Sequence, residues 1–344
     1  MRILFVYNSC TRFVLDDLEL LRSHHDVTEW YLGRRLYNPL RLHGEVRQHD
    51  LVFCWFASWH SFGPVILSRL LGKPSVVVIG GYDTANVPEA GYGSQRGGLR
   101  RVISRSVIRN ATHLVVNSQF SHQEAIEGAG ADPSRISLIY HGVRTPEPGD
   151  LPALEGREPL VLTVGAVLEE NLLRKGLLPF VQSAAYLPDT RFVLVGQWHD
   201  SSAEHLNALA TPNVELAGFL PDDELWALYS RASVYVQASL HESFGLSLAE
   251  ACAAGCAPVL TRVGAMPEVV GEEGVYSPSN QPEALAAAIR QALEAPVELR
   301  ERAQRRVLSH FPMQRRKQSL EQLLRKVASG TTSLSPRTTQ VAGN

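Results

Sequence analysis

Long apolar runs are missing: nowhere in the 344 residues is there a stretch near the ~18 consecutive apolar residues that cross a bilayer. The N-terminal "MRILFVYNS" has one arginine and too short an apolar run for a secretory leader, so it reads as a first buried strand. Cysteine is scarce. The four thiols, Cys10, Cys54, Cys252 and Cys256, form no C-x-x-C pair, which argues against a zinc or disulfide framework and for reduced thiols in a cytoplasm. The histidines, His24 and His25 among them, lack metal-ligand spacing. No sign of charge dominates either. A formal net charge of −2 gives no support to nucleic-acid binding, which goes with a markedly basic chain. What remains, 44% hydrophobic and 20% charged, is the composition of a soluble globular protein with length for two domains.

The first half, residues 1–150, alternates apolar strand and helix. "RILFVYN" leads into "VLDDLELLRSH" and "DLVFCWFA" into "FGPVILSRLLG"; then come "PSVVVIGG", "THLVVNS" and "SRISLIYHG". Short, nearly continuous apolar strands separated by helices predict a parallel sheet covered on both faces. "VRTPEPGDLPALEGREP" reads as an interdomain linker. A second α/β unit, residues 157–310, follows with strands "LVLTVGAV", "RFVLVGQ", "NVELAGFL", "SVYVQAS", "CAPVLTR" and "GVYSP". The fold class is therefore α/β, with two doubly wound, Rossmann-like domains whose strand ends share a ligand crevice. A last helix over 311–328 is expected to return to the first domain, and 329–344, without apolar periodicity, is expected to be a disordered tail.

"HESFGLSLAEACAAG", from His241 to Gly255, sets Glu242 and Glu250 eight residues apart around a Ser-Phe-Gly turn. Glycine costs about 1 kcal/mol relative to alanine inside a helix, so Gly245 near a helix start suggests close approach to the backbone. With Ser243 as N-cap, the N–H groups of Phe244, Gly245 and Leu246 would face the crevice as a site for phosphate or sugar oxygens. Glu250 would then be free to accept both hydroxyls of a ribose while Glu242 meets another part of the ligand. The rival cap is Ser247, whose "SLAE" fits a capping box and makes Glu250 structural.

"HESFGLSLAEACAAGCAPVLTRVGAMPEVV" resembles the E-x7-E signature of the retaining glycosyltransferases of family 4, which have the GT-B fold. "LTVGAVLEENLLRKGLLPFVQSAAYLPDTRFVLVG" is similar to that family's other donor-site segment, and "AGFLPDDELWALYSRASVYV" to the stretch between them. The resemblance implies transfer of a hexose from a nucleoside-diphosphate sugar to a glycan, lipid-linked or small-molecule acceptor. It implies retention of configuration, and neither metal nor other cofactor. By position, Glu242 meets the donor sugar, Glu250 the ribose, and Gly245 and Leu246 offer N–H groups; Gly165 and Lys175 belong to the diphosphate side. Ala166 stands where the family commonly has arginine. Arg174 replaces that charge, or Lys175 holds the diphosphate alone. The family's glycine-rich loop after the first strand is also absent; "NSCTRFVLDD" stands there, with Ser9, Thr11 and the N–H groups near Arg12 as substitutes.

In "GGYDTANVPEAGYGSQR", Asp83 either faces the acceptor, as a catalytic candidate, or belongs to a tight turn. His241 either lines a loop or takes part in the site. Arg101, Arg105 and Arg109 share one helix face opposite Leu99, Ile103 and Val107, which is either a solvated face or a contact with anionic lipid at the inner membrane surface. The functional expectation is a cytoplasmic retaining glycosyltransferase. Its rivals are another GT-B enzyme, such as a nucleotide-sugar epimerase, and a sugar-nucleotide-binding regulator without catalysis.

Overall fold

The computed structural model describes residues 1–33, 38–146 and 151–330. Two six-stranded parallel sheets form, one in each half, as an α/β two-domain, Rossmann-like architecture. The first has the order β2-β1-β3-β4-β5-β6, from β1 (Arg2–Tyr7), β2 (Asp26–Tyr31), β3 (Leu51–Trp55), β4 (Ser75–Val78), β5 (His113–Val116) and β6 (Ile136–Leu138). Strand β2 was not anticipated. It is the edge strand, and "DVTEWY" buries only Trp30, so it carries no apolar run to read.

The second sheet has the order β12-β11-β10-β7-β8-β9, from β7 (Glu158–Val164), β8 (Arg191–Val195), β9 (Val214–Gly218), β10 (Ala232–Gln237), β11 (Ala257–Thr261) and β12 (Val275–Ser277). All six were legible in the sequence, and the inner strands β7, β8, β10 and β11 are apolar along most of their length because both faces of the sheet are covered there. Leu160, Leu162 and Tyr235 enter one core, and Val161, Val234 and Val236 the other. The strand order reverses between β7 and β10, and a crevice opens beyond the carboxyl ends of strands at such a point. The loops after β7 and β10 are those that carry Gly165 to Lys175 and Glu242 to Gly245.

The helix Met313–Ala328 buries Leu320, Leu323, Leu324 and Val327 among Ile3, Phe5, Leu51 and Phe53 of the first domain. Its anchor is Arg316. That guanidinium donates to both carboxylate oxygens of Asp17, at 2.6 and 2.7 Å, and its remaining nitrogen donates to the carbonyls of Ile139 and Tyr140. Arg316 and Asp17 are both fully enclosed. The expected tail begins as the end of this helix at Ser329 and Gly330, and 331–344 lies outside the described residues, as does 147–150 of the linker.

The helix Gly98–Asn110 corrects one sequence expectation. Val107 is buried, but Leu99 is 72% exposed, and Arg105 is turned inward to Gln95 and the Gly128 carbonyl.

Removing one partner of a buried ion pair leaves the other charge uncompensated, at about 3–5 kcal/mol. Asp17→Asn is therefore expected to lower the urea midpoint of the first domain by that equivalent, whereas Glu89→Gln, at an exposed site, leaves it unchanged.

Candidate active site

Gly245 has φ +89°, in the left-handed region, and caps the helix Leu246–Ala253 without a side-chain bond. This overturns both sequence-based caps. The helix starts later than a Ser243 cap requires, and Ser247 already lies inside it. Ser243 instead donates to the Gly80 carbonyl of the first domain at 3.2 Å. Phe244, expected in the first turn, is buried with its ring against Tyr140, His141 and Phe311 at the junction of the domains. The leading N–H groups of the helix, from Leu246 on, still lack intrahelical acceptors and carry the positive end of its dipole.

Glu242 lies just ahead of that terminus. Its Oε2 is 3.4 Å from Lys175 Nζ, 3.4 Å from Gln237 Nε2 and 3.5 Å from Ser239 Oγ. These contacts are long for hydrogen bonds, so the carboxylate keeps capacity for a ligand hydroxyl. Burial pushes its pKa up, but the charges of Lys175, then Arg174 and His241, outweigh burial and hold it below the ordinary glutamate value. Glycines bring these segments together. A Cβ on Gly165 would sit 3.1 Å from Lys175 Cδ, so its absence lets the lysine stem lie across the end of β7. A Cβ on Gly264 would come within 2.3 Å of the Glu242 carbonyl, and the neighbouring Ala265 N–H donates to that carbonyl.

Arg174 is placed differently from Lys175. Its guanidinium donates to Asn171 and stacks 4.2 Å from the ring centre of Tyr92, a residue of the first domain. Asn171 in turn donates to the Ala166 carbonyl.

Glu250 stands apart from Glu242. It lines a cavity of ≈ 250 Å³ with Arg12, Asp16, Arg144, Asp222 and Tyr229, and Tyr229 Oη donates to it at 3.4 Å. Burial, with the nearby Asp222 and Asp16 carboxylates, raises its pKa to about 8. Arg12 crosses this cleft to Asp222 at 2.8 Å. The helix Arg12–Arg22, capped by Thr11, therefore opens at the cavity wall.

Asp83 is 1% exposed, and its Oδ2 accepts from the Gly80 N–H at 2.7 Å. Its carbonyl accepts from Ser94, Gln95 and Ser104. The tight-turn reading fits this placement, and burial raises the carboxyl to about 7. The turn has a purpose: Gly81, at φ +108°, lies where a Cβ would meet Ser243 Oγ at 2.8 Å. His241 also crosses the boundary, pairing with Glu124 at 2.8 Å while Thr84 donates to the other Glu124 oxygen.

Glu124, Tyr92, Ser121 and Glu268 were not anticipated. Ser121 donates to the Ser243 carbonyl, and Glu268 accepts from the N–H groups of Gln119 and Phe120 at a first-domain helix start. Only "SHQEAI", "MPEVV" and, for Tyr92, "GGYDTANVPEAGYGSQR" hinted at them, and no segment names its partner. Among the described residues no group of three or more His, Cys, Asp or Glu is placed to hold a metal ion.

Two family models match the chain side by side: Glycosyltransferase Family 4 over residues 11–147 and Glycosyl transferases group 1 over residues 152–308. By domain family and fold, the chain is of the GT-B, family 4 type. It is 31% identical over 218 residues to a D-inositol 3-phosphate glycosyltransferase of Mycolicibacterium gilvum, covering 57% of this chain and 48% of that protein. An O-antigen chain mannosyltransferase B of Escherichia coli is 33% identical over 130 residues, covering 35% of this chain and 34% of that one. The chain thus spans about half the length, or less, of these curated relatives. In fold, this GT-B chain is similar to Anabaena HepE in complex with UDP and glucose, with TM-score 0.77 at 17% identity, covering 95% of this chain and 100% of that one. It is likewise similar to sucrose-phosphate synthase of Thermosynechococcus elongatus, with TM-score 0.74 at 18% identity, covering 96% and 100%.

A carboxyl raised from 4.5 to about 8 contributes stability that is complete below pH 4.5 and lost as pH rises through about 8. Glu250→Gln, which stays neutral, should therefore match the unsubstituted protein in melting temperature near pH 4.5 and exceed it increasingly up to about pH 8. Calorimetry across that range checks the sign.

Proposed function

We propose that this protein is a retaining hexosyltransferase that moves a sugar from a nucleoside-diphosphate donor to an acceptor hydroxyl. The observation that carries this reading is the Glu242–Lys175 pair at the strand-order reversal, beside the open N-terminus of the helix Leu246–Ala253. A departing diphosphate gains negative charge. A fixed ammonium and a helix N-terminus stabilise that charge as it develops, with no bound metal required. Gly165 leaves room for the lysine stem, and Arg174 adds positive potential from its seat on Tyr92. Glu242, kept ionised, accepts hydroxyls of the donor sugar and fixes the reacting carbon. Glu250, eight residues on and in its own cavity, takes the ribose. Asp83 acts through the turn that seats Gly81 against Ser243. Anabaena HepE has been solved with UDP and glucose, so UDP-sugars are the first donors to try. The free thiols Cys54, Cys252 and Cys256 suit a reducing cytoplasm.

A donor-binding protein without turnover is the second reading. Ala166 and the engagement of Arg174 with Asn171 and Tyr92 favour it, since they leave Lys175 to meet the diphosphate with little help.

Glu242→Gln is expected to leave affinity for the bare nucleoside diphosphate nearly unchanged while lowering transfer on the order of a hundredfold, as lost positioning does. Glu250→Gln should show the opposite balance above about pH 8, where Glu250 is ionised, weakening nucleotide binding by roughly tenfold through loss of charge-assisted hydrogen bonds to the ribose. Equal loss of nucleotide and sugar nucleotide in Glu242→Gln would refute this division of labour, and nucleotide binding without turnover on any acceptor would support the second reading. Excess chelator should leave the transfer rate as it is; a loss restored by a divalent cation would overturn the metal-free assignment.

A further inference from the structure

Charge is segregated along the first domain. Between residues 51 and 123 there are seven basic side chains against two acidic ones, in a chain whose formal net charge is −2. Of those two acids, Asp83 is buried in its turn, and neither helix Trp59–Leu70 nor helix Gly98–Asn110 contains an acid. These two helices pack side by side on one face of the first sheet.

Their outward surface is apolar as well as basic. In the helix Trp59–Leu70, the buried side is His60, Ser61, Pro64, Val65 and Ser68. The opposite side presents Phe62 and Leu70, which are 36% and 77% exposed. Beside it Leu99 and Val102 are 72% and 64% exposed, flanked by the exposed Arg101 and Arg109. A surface helix normally turns polar residues outward, so an outward apolar stripe marks an interaction surface. Charge decides among partners: apolar side chains ringed by arginine, with no acid between, match an anionic interface.

We infer that the outward face of helices Trp59–Leu70 and Gly98–Asn110 docks on a bilayer surface rich in anionic lipid. Phe62, Leu99 and Val102 enter the headgroup layer, and the arginines meet phosphates. No described helix is long and apolar enough to cross a membrane, so the contact is interfacial. Helices that join parallel strands run back along the sheet, which sets their N-termini at the strand ends facing the crevice. Phe62 and Leu99 therefore lie toward its mouth, where an acceptor hydroxyl carried on a lipid could enter. That last consequence rests on the transfer reading; binding to the bilayer does not.

The test is co-sedimentation of the full chain with vesicles of phosphatidylcholine alone and of phosphatidylcholine with phosphatidylglycerol. Binding is expected only with phosphatidylglycerol and should fall as salt is raised. Arg101→Glu with Arg109→Glu should lower the vesicle partition coefficient roughly tenfold or more, and Leu99→Ser with Val102→Ser should lower it too. Affinity for a nucleoside diphosphate should not change in either variant, which shows the fold intact. Undiminished binding by both variants, equal binding to both vesicle types, or no binding at all would overturn the inference. So would self-association of the chain, abolished by the same substitutions, without vesicle binding. An inactive protein that still binds anionic vesicles would refute the transfer reading and leave this one standing.

Discussion

The bidentate pair between Arg316 and Asp17 is the contact on which the two-domain geometry rests. The helix that carries Arg316 follows the second domain in sequence but is buried in the first, so the chain crosses between domains twice. The two crossings meet: Val143 N–H donates to the Phe311 carbonyl, and Val143 pairs with Pro312. An arginine enclosed without water costs several kcal/mol unless its donors are matched. Asp17 and the carbonyls of Ile139 and Tyr140 supply those matches, which fixes the helix in position as well as in place.

That crossing lets the first domain hold the loop that follows β10. Ser243 meets Gly80 and Ser121, His241 meets Glu124, and the Tyr92 ring lies under Arg174. Glu242 sits between two of these anchors. Its geometry is therefore a property of the closed pair of domains, and a change in their separation moves the carboxylate relative to Lys175. Gly81 is the steric condition for this closeness, since any Cβ there would strike Ser243.

Much of the fold was legible in local pattern. Strands covered on both faces must be apolar along their length, so the inner strands of both sheets stood out, and the edges β6, β9 and β12 kept enough apolar residues to be read as well. Strand β2 did not, because an edge strand with Thr28 and Glu29 on its surface follows no such rule. The cap of the helix Leu246–Ala253 was misread for a related reason. Serine favours N-caps when nothing competes, but here the Gly80 carbonyl, 163 residues away in sequence, takes the Ser243 hydroxyl. Arg316 and Asp17, 299 residues apart, left no sequence signal at all.

The sequence by itself determined the two α/β units, the order of their strands along the chain and the spacing of Glu242 and Glu250. Each follows from periodicity or from a short motif, and these act between near neighbours. What the two acids became was decided only by the tertiary structure. Lys175 brings a positive charge to Glu242, which stays ionised despite its burial. Asp222 and Asp16 bring negative charge to Glu250, whose carboxyl is pushed up to about 8. The side chains are chemically identical and eight residues apart, but an electrostatic environment is set by distance in space, and those neighbours come from both domains.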